Sequence, residues 1–263
     1  MSGSNGVPAA APAGAAQITY VGHATVAIEL DGIHLLTDPL LRNRVLHLRR
    51  SAPAVVPVAH PFDAVLISHA HWDHLDMRSL ELLPGDPTAV VPRGVARLLR
   101  RRFSAVVELE AGESLELGAL VITATHADHD ARRGPLGLDA PALGYVVAGS
   151  RRIYFAGDTD VFAGMAELTP LDLALLPVSG WGGRVPAGHL DPRRAVEALG
   201  LLQPRVAVPI HWGTYSALTQ RHPRSGFEHS PAEEFARLAG ELAPAVDVRV
   251  LELGETLDLA EAG

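Results

Sequence analysis

The 263-residue sequence contains no cysteine and no lysine. Without cysteine the chain has no disulfide, no thiolate nucleophile and no thiolate metal ligand, so any metal site must use histidine and carboxylates. Without lysine, Schiff-base chemistry, a lysine general base and the phosphate-binding lysine of a P-loop are excluded. The strong metal ligands that remain are drawn from 13 histidines and 30 acidic residues.

Positive charge is scarce as well. All 22 basic residues are arginine, and with 30 acidic residues the formal net charge is −8. This balance leaves no basic surface for a phosphate backbone, which normally dominates nucleic-acid affinity. It therefore disfavours nucleic acid as a partner and leaves a small molecule as the expected substrate.

Long apolar runs are missing too. No segment reaches about 18 uninterrupted apolar residues, so no transmembrane helix is predicted. Residues 1–16 are rich in alanine, glycine, proline and serine and carry no basic segment, which predicts a disordered tail rather than a signal peptide. Together these features predict a cytoplasmic protein without a membrane partner, and no pattern indicates its oligomeric state.

Residues 17–263 are predicted to form one α/β domain. Apolar residues make up 48% of the chain, enough for a sizeable core, and no repeat or linker divides it. The Asp31-Gly32 pair between two β-type runs predicts a hairpin. Strands are predicted near 25–30, 33–37, 64–68, 89–91, 105–109, 120–125, 144–147, 152–156, 171–178, 206–210 and 248–253, and helices near 77–83 and 94–102.

Two further helices have clear start signals. One is predicted to begin at Asp191, with Pro192 in the first helical position. The other is predicted to begin at Ser230, which forms a capping box with Glu233 three residues later and is followed by Pro231. Apolar residues at helical spacing follow both starts, so each helix should bury one face.

The densest chemical signal is the motif His69-x-His71-x-Asp73-His74, which directly follows a short apolar run. Alternate residues of an extended chain lie on the same side, so His69 and His71 can converge on one ion. As the chain then turns, Asp73 and His74 can face a second ion. Four potential ligands within six positions therefore predict a site for two metal ions.

This motif resembles the signature of the metallo-beta-lactamase superfamily. Other segments are similar to the branch that holds ascorbate-phosphate lactonases and N-acyl-phosphatidylethanolamine phospholipase D, with the same order and spacing from about Ile18 to Tyr215. The resemblance implies a four-layer αββα sandwich with the site at one edge. The matching segments are Gly22-His23-Ala24, Thr37-Asp38-Pro39, Phe155-Ala156-Gly157-Asp158-Thr159-Asp160, His189-Leu190-Asp191-Pro192 and Ile210-His211-Trp212-Gly213-Thr214.

The resemblance also implies a ligand set. His69, His71 and a later histidine would hold the first metal, and Asp73, His74 and His211 would hold the second. Asp158, which follows a predicted strand in a Gly-Asp-Thr turn, would bridge both ions. Taken alone, Gly157-Asp158-Thr159 fits an ordinary aspartate turn better than a metal site, and His211 fits a structural role equally well. The weight of both therefore comes from the whole set.

The third histidine of the first metal has two candidates in the segment Thr125-His126-Ala127-Asp128-His129. The family pattern has proline, two variable residues and then the ligand. That register assigns the metal to His129 and puts His126 where proline is usual. His126 is then left as a ligand, a hydrogen-bond partner of the site or a strand-end residue.

Further residues have candidate roles around the metals. Asp73, His189 or metal-bound water could protonate the leaving group, although His189 also fits a role in packing the start of the helix at Asp191. Trp181 could stack on the substrate and Arg184 could pair with an anionic group, and a plain surface loop explains both equally well. Residues predicted to orient the metal ligands by hydrogen bonds are His23, Asp38, Asp76 and His126.

The predicted function is that of a binuclear hydrolase in which metal-bound hydroxide cleaves an ester, lactone, amide or phosphodiester bond. Zinc suits a cysteine-free, histidine-rich site, and the shared carboxylates also tolerate manganese or iron. Two alternatives stay open: a mono-iron oxygenase on the same fold and an inactive metal-binding module. The presence of both His74 and His211 disfavours the oxygenase, which needs only one metal.

Overall fold

The computed structural model describes residues 16–50, 61–134, 137, 139–178, 185–217 and 230–260. In chain order the strands are β1 (Ala16–Gly22), β2 (Thr25–Leu30), β3 (Ile33–Thr37), β4 (Arg44–Val45), β5 (Leu48–Arg50), β6 (Ala64–Leu66), β7 (Thr88–Pro92), β8 (Val106–Leu109), β9 (Ser114–Leu117), β10 (Leu120–His126), β11 (Leu143–Ala148), β12 (Arg152–Phe155), β13 (Leu173–Pro177), β14 (Val206–Ile210), β15 (Tyr215–Ala217), β16 (Asp247–Val248) and β17 (Thr256–Asp258). The helices are α1 (Met77–Leu80), α2 (Ala96–Leu99), α3 (Pro192–Leu202) and α4 (Pro231–Leu242), and a 3-10 helix covers Ala163–Leu168.

The strands form two seven-stranded sheets and one small sheet. The first sheet has the order β17-β1-β2-β3-β6-β7-β8, antiparallel up to β3 and parallel from β3 to β8. The second has the order β16-β14-β13-β12-β11-β10-β9, with its parallel part running from β12 to β16. The small sheet has the order β15-β5-β4. The parallel strands of both large sheets end at one edge of the molecule, where the site lies.

The main core lies between the two large sheets. Apolar side chains of both sheets interdigitate there in one buried cluster, for example Ile28 and Leu66 from the first sheet and Phe155 and Leu175 from the second. Burial of such surface is the main stabilising contribution to a fold of this kind. The two large sheets therefore share a single core among the described residues.

Helices cover the outer face of each large sheet. Leu80 of α1 and Leu99 of α2 pack with outward-facing residues of the first sheet. Leu199 of α3 and Phe235 of α4 pack in the same way on the second sheet. The four layers are therefore helices, sheet, sheet and helices, which confirms the predicted αββα sandwich.

Local signals account for several of the observed boundaries. Asp31 (φ 52°) and Gly32 (φ 78°) form the predicted two-residue turn between β2 and β3, with Leu30 paired to Ile33. The Asp191 side chain caps α3, and Ser230 caps α4 in a capping box with Glu233, as predicted. These elements begin where the sequence indicates because their end groups satisfy backbone N–H donors.

Other boundaries differ from the predictions. Ala16, assigned to the tail, is the first residue of β1 and is buried. The helices predicted at 77–83 and 94–102 are only the four-residue α1 and α2. The strand predicted at 248–253 is wrong as one element, because β16 ends at Val248 and the chain then crosses to β17 in the other sheet. In the described part of the chain, no helix is long and apolar enough to cross a membrane.

Candidate metal centre

The candidate site lies where strands of both large sheets end. The ligand motif follows β6, Asp38 follows β3, Asp158 follows β12 and His211 follows β14. Neighbouring parallel strands end at the same edge of a sheet, so the turns that follow them meet there. The fold thus brings together polar residues that are up to 188 positions apart, counted from His23 to His211.

The first group of facing side chains is His69, His71 and His129. One nitrogen of each lies within 4.8 Å of the other two, and His129 Nε2 is 3.1 Å from His71 Nδ1. His129 Nδ1 donates to the Gly188 carbonyl at 2.8 Å, which leaves the Nε2 lone pair directed at the group. Gly188 allows this close approach, since a Cβ there would lie 3.3 Å from His129 Nδ1.

The second group is His23, Asp73, His74 and His211. His74 Nε2 lies 3.2 Å from His211 Nε2, and His23 Nε2 lies 3.2 Å from Asp73 Oδ2. His211 also donates its backbone N–H to the His23 carbonyl at 2.8 Å, which ties the end of β14 to the β1–β2 turn. The second group is more deeply buried than the first, because His23, His74 and His211 are all shielded from solvent.

Asp158 lies between the two groups. Its Oδ2 is 3.2 Å from His74 Nε2 and its Oδ1 is 3.4 Å from His211 Nε2, and it also forms a group with His129 and His189. Gly157 before it has φ 62° and a Cβ there would lie 2.6 Å from Ser68 Cβ, so only glycine fits. The carboxylate is therefore positioned to contact ions in both groups.

Asp38 and Ser68 orient His69 and His74 through hydrogen bonds to their Nδ1 atoms. His74 Nδ1 donates to Asp38 Oδ2 at 2.7 Å, and the Ser68 backbone N–H donates to Asp38 Oδ1 at 2.7 Å. Because the Ser68 hydroxyl also donates to Asp38, it accepts from His69 Nδ1 at 2.9 Å. These hydrogen bonds turn the Nε2 atoms of His69 and His74 towards the centre, as expected of residues that orient metal ligands.

The electrostatics of the cluster favour a bound cation. Burial lowers the pKa of His69, His71, His129 and His211, which keeps these imidazoles neutral and able to act as ligands. Burial also disfavours a charged His74, but the carboxylates of Asp158, Asp73 and Asp38 outweigh it and raise the His74 pKa well above 6.5. These three carboxylates therefore stabilise a positive charge at the centre of the cluster.

The two carboxylates nearest the cavity carry negative charge. Burial raises the pKa of both Asp73 and Asp158, and the surrounding histidines outweigh this effect. For Asp158 the histidines are His211, His74 and His189, in order of decreasing effect. Both pKa values fall well below the usual carboxyl range, so each side chain offers an ionised oxygen to a cation.

The donor geometry fits divalent metal ions. Ligand atoms of a tetrahedral zinc site with bonds of 2.0–2.1 Å are about 3.3 Å apart, and the closest nitrogen pairs here are 3.1 and 3.2 Å apart. Within the described ranges, buried His69 Nε2 and Asp158 Oδ1 have no hydrogen-bond partner, which is costly unless another group binds them. An ion in each group would satisfy these atoms.

His189 lies beside the same centre. Its Nε2 is 3.5 Å from Asp158 Oδ2 and its ring is 4.6 Å from the His129 ring. Partial burial disfavours its charged form, but the hydrogen bond and charge of Asp158 outweigh burial and raise the His189 pKa above 6.5. Asp158 therefore favours the protonated form of an imidazole that also lines the cavity.

Two predicted orienting residues have other partners. Asp76 does not contact a histidine of the cluster in the described contacts; its carboxylate accepts from Arg42 at 2.6 and 2.8 Å and caps α1 through Ser79. His126 is exposed and its ring lies 5.0 Å from that of Phe162. Asp76 therefore supports the start of α1 rather than a histidine of the cluster, and His126, the last residue of β10, belongs to none of the donor groups found among the described residues. Trp181 and Arg184 lie outside the described residues.

A cavity of about 360 Å³ opens above the centre. Its polar floor includes His71, Asp73, Asp158, His189 and His211, and its remaining described lining is Val45, Leu46, His47, Leu48, Trp72 and Pro186. The sequence analysis assigned no role to the residues from β4 to β5 or to Trp72. Their contribution depends on pairing of β5 with β15, which no local sequence pattern indicates.

Comparisons with known proteins agree with this geometry. The family model described as the beta-lactamase superfamily domain matches residues 34–212. A UPF0173 metal-dependent hydrolase of Methanopyrus kandleri is 32% identical over 259 residues, which cover 92% of this chain and 99% of that protein. An N-acyl-phosphatidylethanolamine-hydrolyzing phospholipase D of Caenorhabditis elegans is 31% identical over 75% of this chain and 64% of that protein.

A comparison with solved structures agrees with the family model and the relatives. Igni18, described as a metallo hydrolase from Ignicoccus hospitalis, has a TM-score of 0.71 and 26% sequence identity, over 93% of this chain and 98% of that chain. The fold, the matched segment and the relatives together define the class. The chain belongs to the metallo-beta-lactamase superfamily and is a metal-dependent hydrolase.

Proposed function

We propose that this protein is a binuclear hydrolase that cleaves an ester, lactone, amide or phosphodiester bond of a small soluble substrate. The observation that carries the proposal is the presence of two donor groups joined by Asp158, with imidazole nitrogens 3.1 and 3.2 Å apart in the two groups. His69, His71 and His129 would hold one ion, Asp73, His74 and His211 the other, and Asp158 would contact both. Zinc is the expected metal, with manganese and iron as alternatives.

Two divalent ions held by these residues would lower the pKa of a bound water and polarise the oxygen of the scissile group. The residues of the chain fix the geometry in which this occurs. Asp38 and Ser68 hold the histidine rings in place, and the ionised Asp158 sits between the two groups. No side-chain nucleophile is required, which agrees with the absence of cysteine from the sequence.

His189 is the proposed proton donor to the leaving group. It faces the cavity and its raised pKa favours the imidazolium form. Asp73 is the other candidate, but its strongly lowered pKa makes it an acceptor rather than an acid. Hydrolysis would join the water oxygen to the acyl carbon or phosphorus and break the bond to the leaving group. His189 would give its proton to that group, and the proton released by the water would then restore His189.

The alternative of a mono-iron oxygenase receives less support. A one-metal enzyme does not need the second donor group, yet His74 and His211 are oriented and close together in this chain. The small-molecule substrate and the cytoplasmic location stay predictions from composition.

The experiment that tests the proposal is elemental analysis of protein purified without chelators. Wild type is expected to carry about two equivalents of zinc, and His211→Ala about one, because only the second donor group loses a ligand. A matched control is His34→Ala, which changes a histidine of β3 outside both groups. One iron per chain, unchanged in His211→Ala, would contradict the binuclear site and favour the oxygenase.

A further inference from the structure

The cavity above the metal centre has an unusually apolar wall. Among the described residues, the large apolar side chains that are most exposed are Leu46, Trp72, Leu82, Val121 and Leu242. Leu46, at 60% exposure, and Trp72, at 45%, both line this one cavity, together with Val45 and Leu48. Exposed apolar surface that is concentrated in a concave site indicates a ligand that covers it.

Leu46 is held over the cavity at a conformational cost. It occupies the first position of the two-residue turn between β4 and β5 and has φ 49°, a backbone region that leucine rarely adopts. Glycine or asparagine would fit this turn without that cost. Strained residues that persist at a site are often there for function.

The base of the hairpin is firmly anchored. Val45 and Leu48 pack with Leu40 and Tyr215 in a small buried cluster. The Tyr215 hydroxyl donates to the Arg42 carbonyl at 2.5 Å, and β5 pairs with β15. The apolar tip is therefore presented by a fixed support.

Trp72 forms the other part of the wall and is also fixed. The Arg133 guanidinium lies 3.7 Å from the centre of its ring. Arg133 Nη1 in turn donates to the carbonyl of Ala70, within the ligand motif, and, at 3.0 Å, to that of Leu75, directly after it. A cation stacked on the outer face of an indole fixes the ring as a flat contact surface.

We propose that this apolar wall, defined as Val45, Leu46, Leu48 and Trp72, binds an uncharged alkyl or aryl group next to the scissile bond. The proposal rests on the hydrolase function above and narrows its substrate to carboxylic esters, lactones or amides with such a group. No arginine is among the described lining residues and the chain has no lysine, whereas the floor carries two carboxylates. The four side chains of the wall carry no charge, so a second anionic group at the wall would find no positively charged partner among them.

The test uses zinc-loaded protein and alkyl hydroxamates, which bind metal without being hydrolysed. We expect the Kd to fall by roughly fourfold for each methylene from acetohydroxamate to butyrohydroxamate and hexanohydroxamate, measured by isothermal titration calorimetry. Asparagine at position 46 tolerates the turn conformation. In Leu46→Asn each added methylene should therefore lower the Kd by less than about twofold. Leu46→Gly is a second variant that suits the positive φ, and zinc content is checked in each.

Leu82→Asn is the matched control, since Leu82 is 61% exposed but does not line the cavity. It should keep the wild-type dependence on chain length. Hydroxamate Kd values that do not change with chain length in wild type would contradict the proposal of an apolar wall. A wild-type dependence on chain length in both Leu46 variants would contradict it as well.

Ester kinetics separate this inference from the proposed function. We expect kcat/KM for p-nitrophenyl butyrate and hexanoate to exceed that for the acetate, and the succinate monoester to be poorer than the butyrate. Hydrolysis that is independent of chain length would contradict the wall and leave the hydrolase intact. Hydroxamate binding that depends on chain length, without any ester hydrolysis, would support the proposed apolar wall and contradict the proposal that the protein cleaves esters.

Discussion

The two sides of the metal centre differ in how they are built. The inner half, defined as Asp38, His74, Asp158 and His211, is almost completely shielded from solvent. The outer half, defined as His71, His129 and His189, is partly exposed and faces the cavity. The difference suggests that the inner half supports both fold and metal binding, whereas the outer half serves mainly the reaction.

Backbone conformation follows the same division. Of the six non-glycine residues with positive φ in the described part of the chain, three lie at the inner side of the centre: His23, Asp38 and His211, at 59°, 31° and 64°. Such conformations cost on the order of 1–3 kcal/mol each and persist only where surrounding contacts enforce them. The inner half is therefore maintained against strain by the strands that support it.

The largest expected effect comes from Asp158, which lies between the two donor groups. Asp158→Ala should lower kcat/KM by about 10³-fold, equivalent to about 4 kcal/mol of transition-state stabilisation, because both proposed ions would lose a ligand. The measurement is steady-state kinetics on the best substrate from the ester series, with zinc content determined in parallel. Asp160→Ala is the matched control, since Asp160 pairs with Arg194 outside the centre. Activity within tenfold of wild type would contradict the shared role of Asp158.

A stability comparison should separate the two halves directly. In metal-free protein His74→Ala should lower the free energy of unfolding by about 3 kcal/mol, because Asp38 is left as a buried charge without its partner. His129→Ala should cost less than about 1 kcal/mol, since its ring is partly exposed. Urea unfolding in chelator gives both values. Equal losses for the two variants would remove the distinction between the inner and outer halves.

Asp38 is expected to orient a metal ligand rather than to bind the metal itself. Asp38→Asn should weaken zinc binding by roughly 10- to 100-fold, because the carboxylate that accepts from His74 Nδ1 is replaced by a weaker acceptor. Competition with a zinc chelator measures the loss. Asp76→Asn should leave zinc affinity unchanged, because Asp76 binds Arg42 and α1 instead. If both variants bind zinc like wild type, Asp38 does not orient His74 for a metal.

The sequence predicted the fold and the residues that meet at the centre better than it predicted their neighbours. The motif from His69 to His74 could be interpreted because its ligands are close in the chain. Whether His126 or His129 faces the centre depends on where β10 ends, which its β-type residues do not reveal. The position of Leu46 depends on pairing between β5 and β15, over 160 residues apart, and no local pattern records that contact.

Asp76 was misinterpreted for a more avoidable reason. An aspartate directly before a helical run is a common N-cap, and Asp76 accepts from the Ser79 backbone N–H in that manner. Its closeness to the ligand motif in sequence favoured a role at the metal. Closeness in sequence was a poor guide here, because the Asp76 carboxylate binds Arg42 and caps α1.

The smallest expected effect is that of substituting Asp76, a carboxylate that supports the fold and not the metal centre. Burial raises its pKa, but hydrogen bonds from Arg42 and Ser79 outweigh burial and lower it below the usual value. A carboxyl whose pKa is lowered by folding adds stability above its unfolded pKa of about 3.9, and this stability is lost as pH falls through the folded pKa. Asp76→Asn in metal-free protein should therefore lose about 1 kcal/mol at pH 7.

That difference from wild type should shrink as the pH of the urea unfolding experiment is lowered from 5 towards 3, because the unfolded wild-type chain, in which the Asp76 pKa is higher, binds a proton before the folded state does. Glu241→Gln, at an exposed pair with Arg237 on α4, is the control and should change stability by less than about 0.5 kcal/mol at any pH. A loss in Asp76→Asn that does not vary with pH would mean that the side chain acts through its shape at the helix start and not through its charge. In that case the Arg42 ion pair would contribute little, and the only carboxylates whose charge matters near the motif would be those of the metal centre.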